Sequence, residues 1–521
     1  MGRIKLRLRG DRVIWFIVAI FAMLSILAVY NSGSFLSRRD PGIMARTGTY
    51  VNQLGSVALG LAALFVCYAI NYKVYRKVSP YVFGATLVML LMLFVPAFQD
   101  KRNGAVRGLQ LFGHTIQVFE FVKVGLIMFL SWSMERYYKQ IRTFKGYCLA
   151  LLVWVVAVCL CVMMNSFSSA LLLALVSMMM FWFMDVRVSH LLITAGLAVA
   201  AIALLFGVYH AALAINPKAA EAKIFTRVST VESRFQSFAK SDKDSTIDFT
   251  KMTREELDKM DQDRRQSESA KIAIKEGGAL GKGIGNGTCR HYLSMAFSDF
   301  IFAAIVEEGG LVAGVIIILL YLVFLYRCIS IAFKCPDAYS QALVLGLGFL
   351  IVTQAMLHIL VNVRLIPITG HTLPMISHGG TAYMMLSAAV GMILSVSRTV
   401  NKLQEEKLSA EAAAAPDGAS DGATADAAAP QDGAQSLPRS GSAQNPAAED
   451  SAVAADGTHI SGRETDDGEI VLMSGGSDAP HPATKRKRGR ITATQAEIDA
   501  RNERARAALI DRAMNDNDEP F

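Results

Sequence analysis

Asp299 stands where a glycine-rich polar stretch gives way to a long apolar run. A carboxylate at that boundary is costly unless something uses it. The surrounding chain, residues 266–310, reads QSESAKIAIKEGGALGKGIGNGTCRHYLSMAFSDFIFAAIVEEGG. Two readings of Asp299 hold together. Ser298 and Asp299 stand where a helix begins and its dipole favours negative charge. An ionised carboxylate in the same place suits a general base, which takes a proton from a hydroxyl. Gly281, Lys282, Gly283 and Gly285 resemble a phosphate loop only superficially, since no strand precedes them and no Gly-Lys-Ser/Thr follows. Glu120 and Lys123 are three apart in another apolar run, so they share a helix face and can pair there, as a bundle lock or as part of a site. Gln354, His358 and Asn362 recur every four residues. That polar stripe must face the bundle interior, because lipid would not satisfy it. Glu307 and Glu308 suit helix packing as well as a site. The seven cysteines lack metal-ligand spacing and read as reduced fillers.

The elements that must position these groups are membrane helices. Of 521 residues, 53% are hydrophobic and 18% charged, and the mean hydropathy is +0.36, which excludes an ordinary soluble domain. Apolar runs cover residues 13–30, 50–70, 80–98, 118–134, 147–165, 167–184, 190–215, 298–326, 341–363 and 381–396. The expected fold is therefore an all-α polytopic membrane protein with about ten transmembrane helices. Residues 1–12 form a basic N-terminus, and the first run lacks a clear small-residue cleavage site, so it reads as an uncleaved helix. Basic residues concentrate in alternate short segments, which places both termini in the cytoplasm and residues 216–297 outside as a large extracytoplasmic loop. Thr253 and Glu256 fit a capping box there, starting a polar helix to about Lys271 that the Gly277 and Gly278 pair ends. Polar nearly all round, this helix is expected on the outer surface of the bundle. Lys101, Arg102 and Arg107 lie outside against the trend, either snorkelling to the interface or attracting a phosphorylated ligand. The net charge of +8 reports topology and attraction to anionic lipid, not nucleic acid. Residues 401–521 form a cytoplasmic tail, largely disordered because the Ala, Gly, Ser, Asp and Pro composition of residues 411–483 cannot bury a core. Its basic run at 485–490 reads as contact with anionic headgroups or as a docking site for a cytoplasmic partner, followed by a helix over about 494–513.

Four segments in order resemble the signatures of the SEDS family (shape, elongation, division and sporulation), which contains FtsW and RodA. They are Asn103-Gly104-Ala105 with QVFEFVK ending at Lys123, AIKEGGALGKGIGNG, YLSMAFSDFIFAAIVEEGGLVAG, and IPITGHTLPMISHGGTAY. The likeness covers roughly residues 13–400. It implies a ten-span membrane domain with an outward-facing cavity, and a glycosyltransferase that polymerises lipid II into glycan strands with undecaprenyl pyrophosphate as leaving group. Asp299 matches the family's catalytic aspartate. Glu120, Lys123, Lys282, Ser377, Gly379 and Gly380 match motif positions assigned to substrate. Ser294 and Met295 replace a Pro-Glu pair, Phe297 a His, and Val106 and Gly108 an Arg and a Trp. The sequence offers no metal-ligand cluster, so a divalent cation (Mg or Mn) serving this chemistry is expected to be held through the pyrophosphate, and no organic cofactor is expected. Implied partners are lipid II, a class B penicillin-binding transpeptidase, division-complex proteins and membrane lipids. The implied place is the cytoplasmic (inner) membrane, at the division septum. The SDFIFA variant and the long tail favour the FtsW-like branch. A RodA-like elongation polymerase and a lipid II flippase are the alternatives.

Overall fold

The computed structural model describes residues 9–32, 43–102, 105–111, 114–215, 225–243, 262–288 and 298–414. Thr253, Glu256, Cys289, Ser294, Met295, Phe297 and the tail beyond 414, with its basic run at 485–490, lie outside the described residues. Each of the ten predicted runs is a helix. In order they are α1 (Arg12–Ser32), α2 (Ile43–Ala69), α3 (Tyr72–Met92), α4 (Val118–Arg136), α5 (Phe144–Met163), α6 (Phe167–Phe183) and α7 (Val188–Ile215). After α8 (Phe225–Lys243) and α9 (Gln262–Gly277) come α10 (Ile301–Ala332), α11 (Ala338–Asn362) and α12 (Gly380–Ala414). Among the described residues seven helices are long and apolar enough to cross a membrane. The predicted ten thus exceeds that number by α3, α4 and α6. Lys73, Arg76 and Lys77 dilute α3, Glu120, Lys123, Glu135 and Arg136 dilute α4, and α6 is only 17 residues long.

Among the described residues one small sheet accompanies the helices. Between α3 and α4 a small antiparallel sheet runs β1 (Gln99–Arg102), β2 (Ala105–Leu111) and β3 (His114–Ile116), in that spatial order, with Gln99 opposite Leu109 and Leu109 opposite Ile116. Lys101, Arg102 and Arg107 fall on these strands. The sheet leads into α4, whose first residue Val118 is fully buried.

The core is centred on α11, which packs against α4, α6, α10 and α12. In α11 and α12, 78% of the apolar window is buried, against 11% in α7, so the first two are central and α7 is peripheral. Exposed Leu197, Val199 and Leu204 on α7 make the apolar surface that lipid requires. The helix start at α1 follows from Asp11, whose Oδ1 accepts from the Val13 and Ile14 amides at 2.9 and 3.2 Å.

The predicted polar helix is α9, and it ends at Gly277 as expected. Its position differs from the expected outer surface, because one face is buried against α10: Glu268, Ser269, Ala270 and Ala273 are at most 2% exposed. Burial of Glu268 is satisfied by Arg364 at the end of α11, whose Nη1 lies 2.7 Å from Glu268 Oε1.

Candidate active site

Helix α10 is broken, and the break organises the site. Gly310 has φ 74°, so the helical ladder is interrupted there. An unbroken helix would join the amides of Leu311 and Val312 to the carbonyls of Glu307 and Glu308. Instead Lys282 N and Gly283 N donate to Glu307 O and Glu308 O at 3.0 and 2.9 Å. Leu311 N and Val312 N donate to Gly278 O and Ala279 O at 2.9 and 3.3 Å. The glycine-rich loop thus satisfies the four backbone groups that the break frees, which is the condition for irregular backbone inside a membrane bundle. This contact requires glycine on both sides. A Cβ on Gly281 (φ 79°) would lie 2.2 Å from Glu308 O, and one on Gly310 would lie 2.3 Å from Ala279 O.

Lys282 is drawn into a polar cluster beside the break. Its ammonium pairs with Glu276, lies 2.7 Å from Thr288 Oγ1 and 3.2 Å from Glu307 Oε1, and Thr288 N donates to the same Glu307 oxygen at 2.6 Å. Desolvation works against the Lys282 charge, but its hydrogen bonds to Glu276 and Glu307 outweigh this and raise its pKa. The Lys282 hydrogen bond in turn holds the Glu276 carboxyl below its usual value. Glu307, 1% exposed, is an internal tie of this cluster.

Asp299 lies one residue before the cap of α10. The expected capping role falls elsewhere: the cap position is Phe300, with no side-chain hydrogen bond. Asn362 from α11 caps the helix from outside, since its Oδ1 accepts from Ala303 N at 3.0 Å. Its Nδ2 donates to His358 O at 2.8 Å and Asp299 O at 3.3 Å, so one buried amide fixes both the helix start and the Asp299 backbone. The Asp299 carboxylate accepts from Ser298 Oγ at 2.9 Å on one oxygen. The other oxygen would lie 3.7 Å from a Cβ on Gly370.

Gly370 belongs to the segment 363–379 joining α11 to α12, which is held mainly through its carbonyls. Ser168 donates to Thr369 O at 2.9 Å, Arg234 to Ile368 O at 3.0 Å, Gln354 to Thr372 O at 3.1 Å and Tyr321 to Pro374 O; His358 Nδ1 lies 2.8 Å from His371 O. Ser377 accepts from Leu373 N at 2.7 Å and donates to Ser298 O at 2.9 Å, which ties this segment to the residue before Asp299. Gly379 and Gly380 lead into α12, where Gly379 O accepts from Tyr383 N at 2.7 Å. Lys123 sits on the other side of Gln354, 2.7 Å from its Oε1 and 2.6 Å from Glu120 Oε1. Glu120 Oε2, His358 Nε2 and His371 Nε2 are buried polar atoms without a hydrogen-bond partner among the described residues.

The structure therefore connects Asp299, Ser377, Gln354, Lys123 and Glu120 through one segment. Lys282 belongs to a separate cluster around Glu307, about 12 Å further along α10. The i, i+4 stripe made Gln354, His358 and Asn362 visible in the sequence, but not which groups they hold. Nothing in the sequence singled out Glu276, Thr288 or His371.

A bundle in which seven of the described helices are long and apolar enough to cross a membrane is that of a polytopic membrane protein. The chain belongs to the FtsW/RodA/SpoVE family, described as cell cycle proteins, whose profile matches residues 11–402. It is 26% identical over 392 residues to the probable peptidoglycan glycosyltransferase FtsW of Trichlorobacter lovleyi, covering 74% of this chain and 93% of that one. It is 26% identical over 353 residues to the stage V sporulation protein E of Bacillus subtilis, covering 66% and 86%. Among solved structures, a chain reported under "Structural coordination of polymerization and crosslinking by a peptidoglycan synthase complex" matches with a TM-score of 0.55 and 21% identity, covering 75% of this chain and 98% of that one. The rod shape determining protein RodA of Thermus thermophilus matches with a TM-score of 0.50 and 18% identity, covering 76% and 98%. The fold is shared with both.

Proposed function

We propose that the protein is a peptidoglycan glycosyltransferase that polymerises lipid II into glycan strands during septal wall synthesis. The observation that carries this reading is Asp299, a carboxylate at the mouth of a broken membrane helix, its backbone held by Asn362 and its neighbour Ser298 by Ser377. Asp299 takes the proton of the acceptor sugar's 4-hydroxyl. The oxygen attacks C1 of the donor, the C1–O bond to undecaprenyl pyrophosphate breaks, and the proton remains on the Asp299 carboxyl until released to solvent. Lys123 supplies positive charge toward the leaving group, while Glu120, Ser377, Gly379 and Gly380 complete the substrate contacts; Lys282, expected from the motif to share that role, is instead held by Glu276 and Glu307. Polyprenyl tails stay in the bilayer between helices. Among the described residues no three His, Cys, Asp or Glu side chains gather as a metal cage. A Mg or Mn ion bound with the substrate would be held through the pyrophosphate and would add positive charge to the leaving group. The partner is a single-span class B penicillin-binding transpeptidase that cross-links the product within the division complex. The enzyme acts at the septum of the inner membrane with both termini cytoplasmic.

The test is Asp299→Asn, which keeps shape and loses proton acceptance. With lipid II and the transpeptidase supplied, polymerisation should fall by about 10²–10⁴-fold while insertion and partner binding persist. Parent-like polymerisation by the variant would remove the base assignment, and lipid II movement across liposomes without glycan growth would turn the reading to a flippase.

A further inference from the structure

At the end of the bundle opposite Asp299 lies a polar cavity of about 280 Å³, lined by Arg12 and Val13 of α1, Arg327, Ser330 and Lys334 at the end of α10, and Asn401 of α12. Along α10 this is about 40 Å from Asp299, so the cavity is separate from the proposed catalytic centre. Its charges do not balance internally. Asp11 is the one carboxylate in the lining, and both its oxygens are committed: Oδ1 caps α1, and Oδ2 accepts from Arg327 Nε at 2.8 Å and from Arg327 Nη2. Arg12 and Lys334 are exposed, and their side chains have no hydrogen-bond or ion-pair partner among the described residues. The amino end of α1 adds its partial positive charge. Three basic side chains and a helix N-terminus thus face one spoken-for carboxylate.

We propose that this cavity binds the phosphodiester of an anionic lipid headgroup. Two observations select a lipid over a free phosphate. Phe16, one turn beyond Val13, and Tyr326 and Phe333, next in sequence to Arg327 and Lys334, are each at least 66% exposed, as aromatic rings that meet lipid beside the headgroups are. It also lies where the two ends of the bundle emerge together, Gly10 and Asn401 lining the same space. The bound phosphodiester joins α1, α10 and α12 through Arg12, Arg327 and Lys334.

The experiment uses the full chain purified in detergent and titrated with phosphatidylglycerol or phosphatidylcholine, bound lipid being counted by native mass spectrometry. Arg12→Gln with Lys334→Gln removes the unpaired charge and leaves the Asp11–Arg327 tie intact. Phosphatidylglycerol should be preferred by the parent, and the double variant should lose roughly 30-fold in its apparent affinity, the effect of two cations at a membrane surface. The charge-keeping pair Arg12→Lys with Lys334→Arg should bind as the parent does. Equal retention by the neutralised variant, or no headgroup preference in the parent, would overturn the proposal. So would inorganic phosphate alone displacing phosphatidylglycerol, which would assign the cavity to a free phosphate. The outcome is independent of glycan polymerisation, since none of these residues belongs to the catalytic cluster.

Discussion

Lys123 lies in the bundle interior, 1% exposed, with Glu120 and Gln354 as its partners. Removing one member of such a pair strands the other without compensation, at about 3–5 kcal/mol, whereas replacing both by apolar groups of similar volume is often neutral. Lys123→Met and Glu120→Gln are therefore each expected to lower thermal stability in detergent, with the lysine change the larger. The double variant Glu120→Leu with Lys123→Met should recover most of the loss. Polymerisation should nevertheless stay absent in the double variant, because the charge that would meet pyrophosphate is gone. Recovery of both stability and activity would make the pair a bundle lock alone, and additive losses would mean the two side chains do not act as one unit.

Among the elements, the broken α10 and its glycine loop carry the sharpest expectation. Gly281→Ala must either move the Glu308 carbonyl or detach the loop, while Gly285→Ala, at φ 83° with open space around it, meets backbone strain only. Strain of that kind costs about 1–2 kcal/mol, so hydrogen exchange at Leu311 and Lys282 should accelerate far more in Gly281→Ala than in Gly285→Ala. Equal effects would show that the four-bond exchange does not hold the break. The attachment also depends on pH through Glu276 and Lys282. Glu276 has a lowered pKa, so its contribution is present above the ordinary carboxylate value and is lost as pH falls through its folded value. Lys282 has a raised pKa, so its contribution persists below the ordinary lysine value and is lost as pH rises through its folded value. Protection of these amides should therefore hold across neutral pH and fade at both extremes.

For the molecule as a whole, what was legible in the sequence depended on how local the signal was. Apolar run length alone located ten helices, since a helix in lipid satisfies its own backbone whatever its neighbours are. The sheet was missed although Asn103 and Gly104 carry the residue types a hairpin turn favours. The break at Gly310 was unreadable because its partners are Gly278 to Gly283, some 30 residues earlier, and only packing brings them together. Asp299 was visible as a charge at an apolar boundary, but its support by Asn362 and Ser377 was not, because both come from segments far along the chain. The same scale carries a last expectation, about sidedness. Gly10 and Asn401 line one cavity, so the two ends of the described bundle share a face, and the loop bearing Ile284 belongs to the far end of α10. The basic segments next to α1 and between α10 and α11 put the first face in the cytoplasm. A cysteine placed at Ile284, 67% exposed, should then react with a membrane-impermeant thiol reagent on intact cells whose outer barrier is opened. One at Phe333, 73% exposed, should react only after the inner membrane is permeabilised, with the parent's own free cysteines as background. The reverse order of labelling would invert the bundle and place Asp299 on the wrong side for an acceptor strand growing outside the cell.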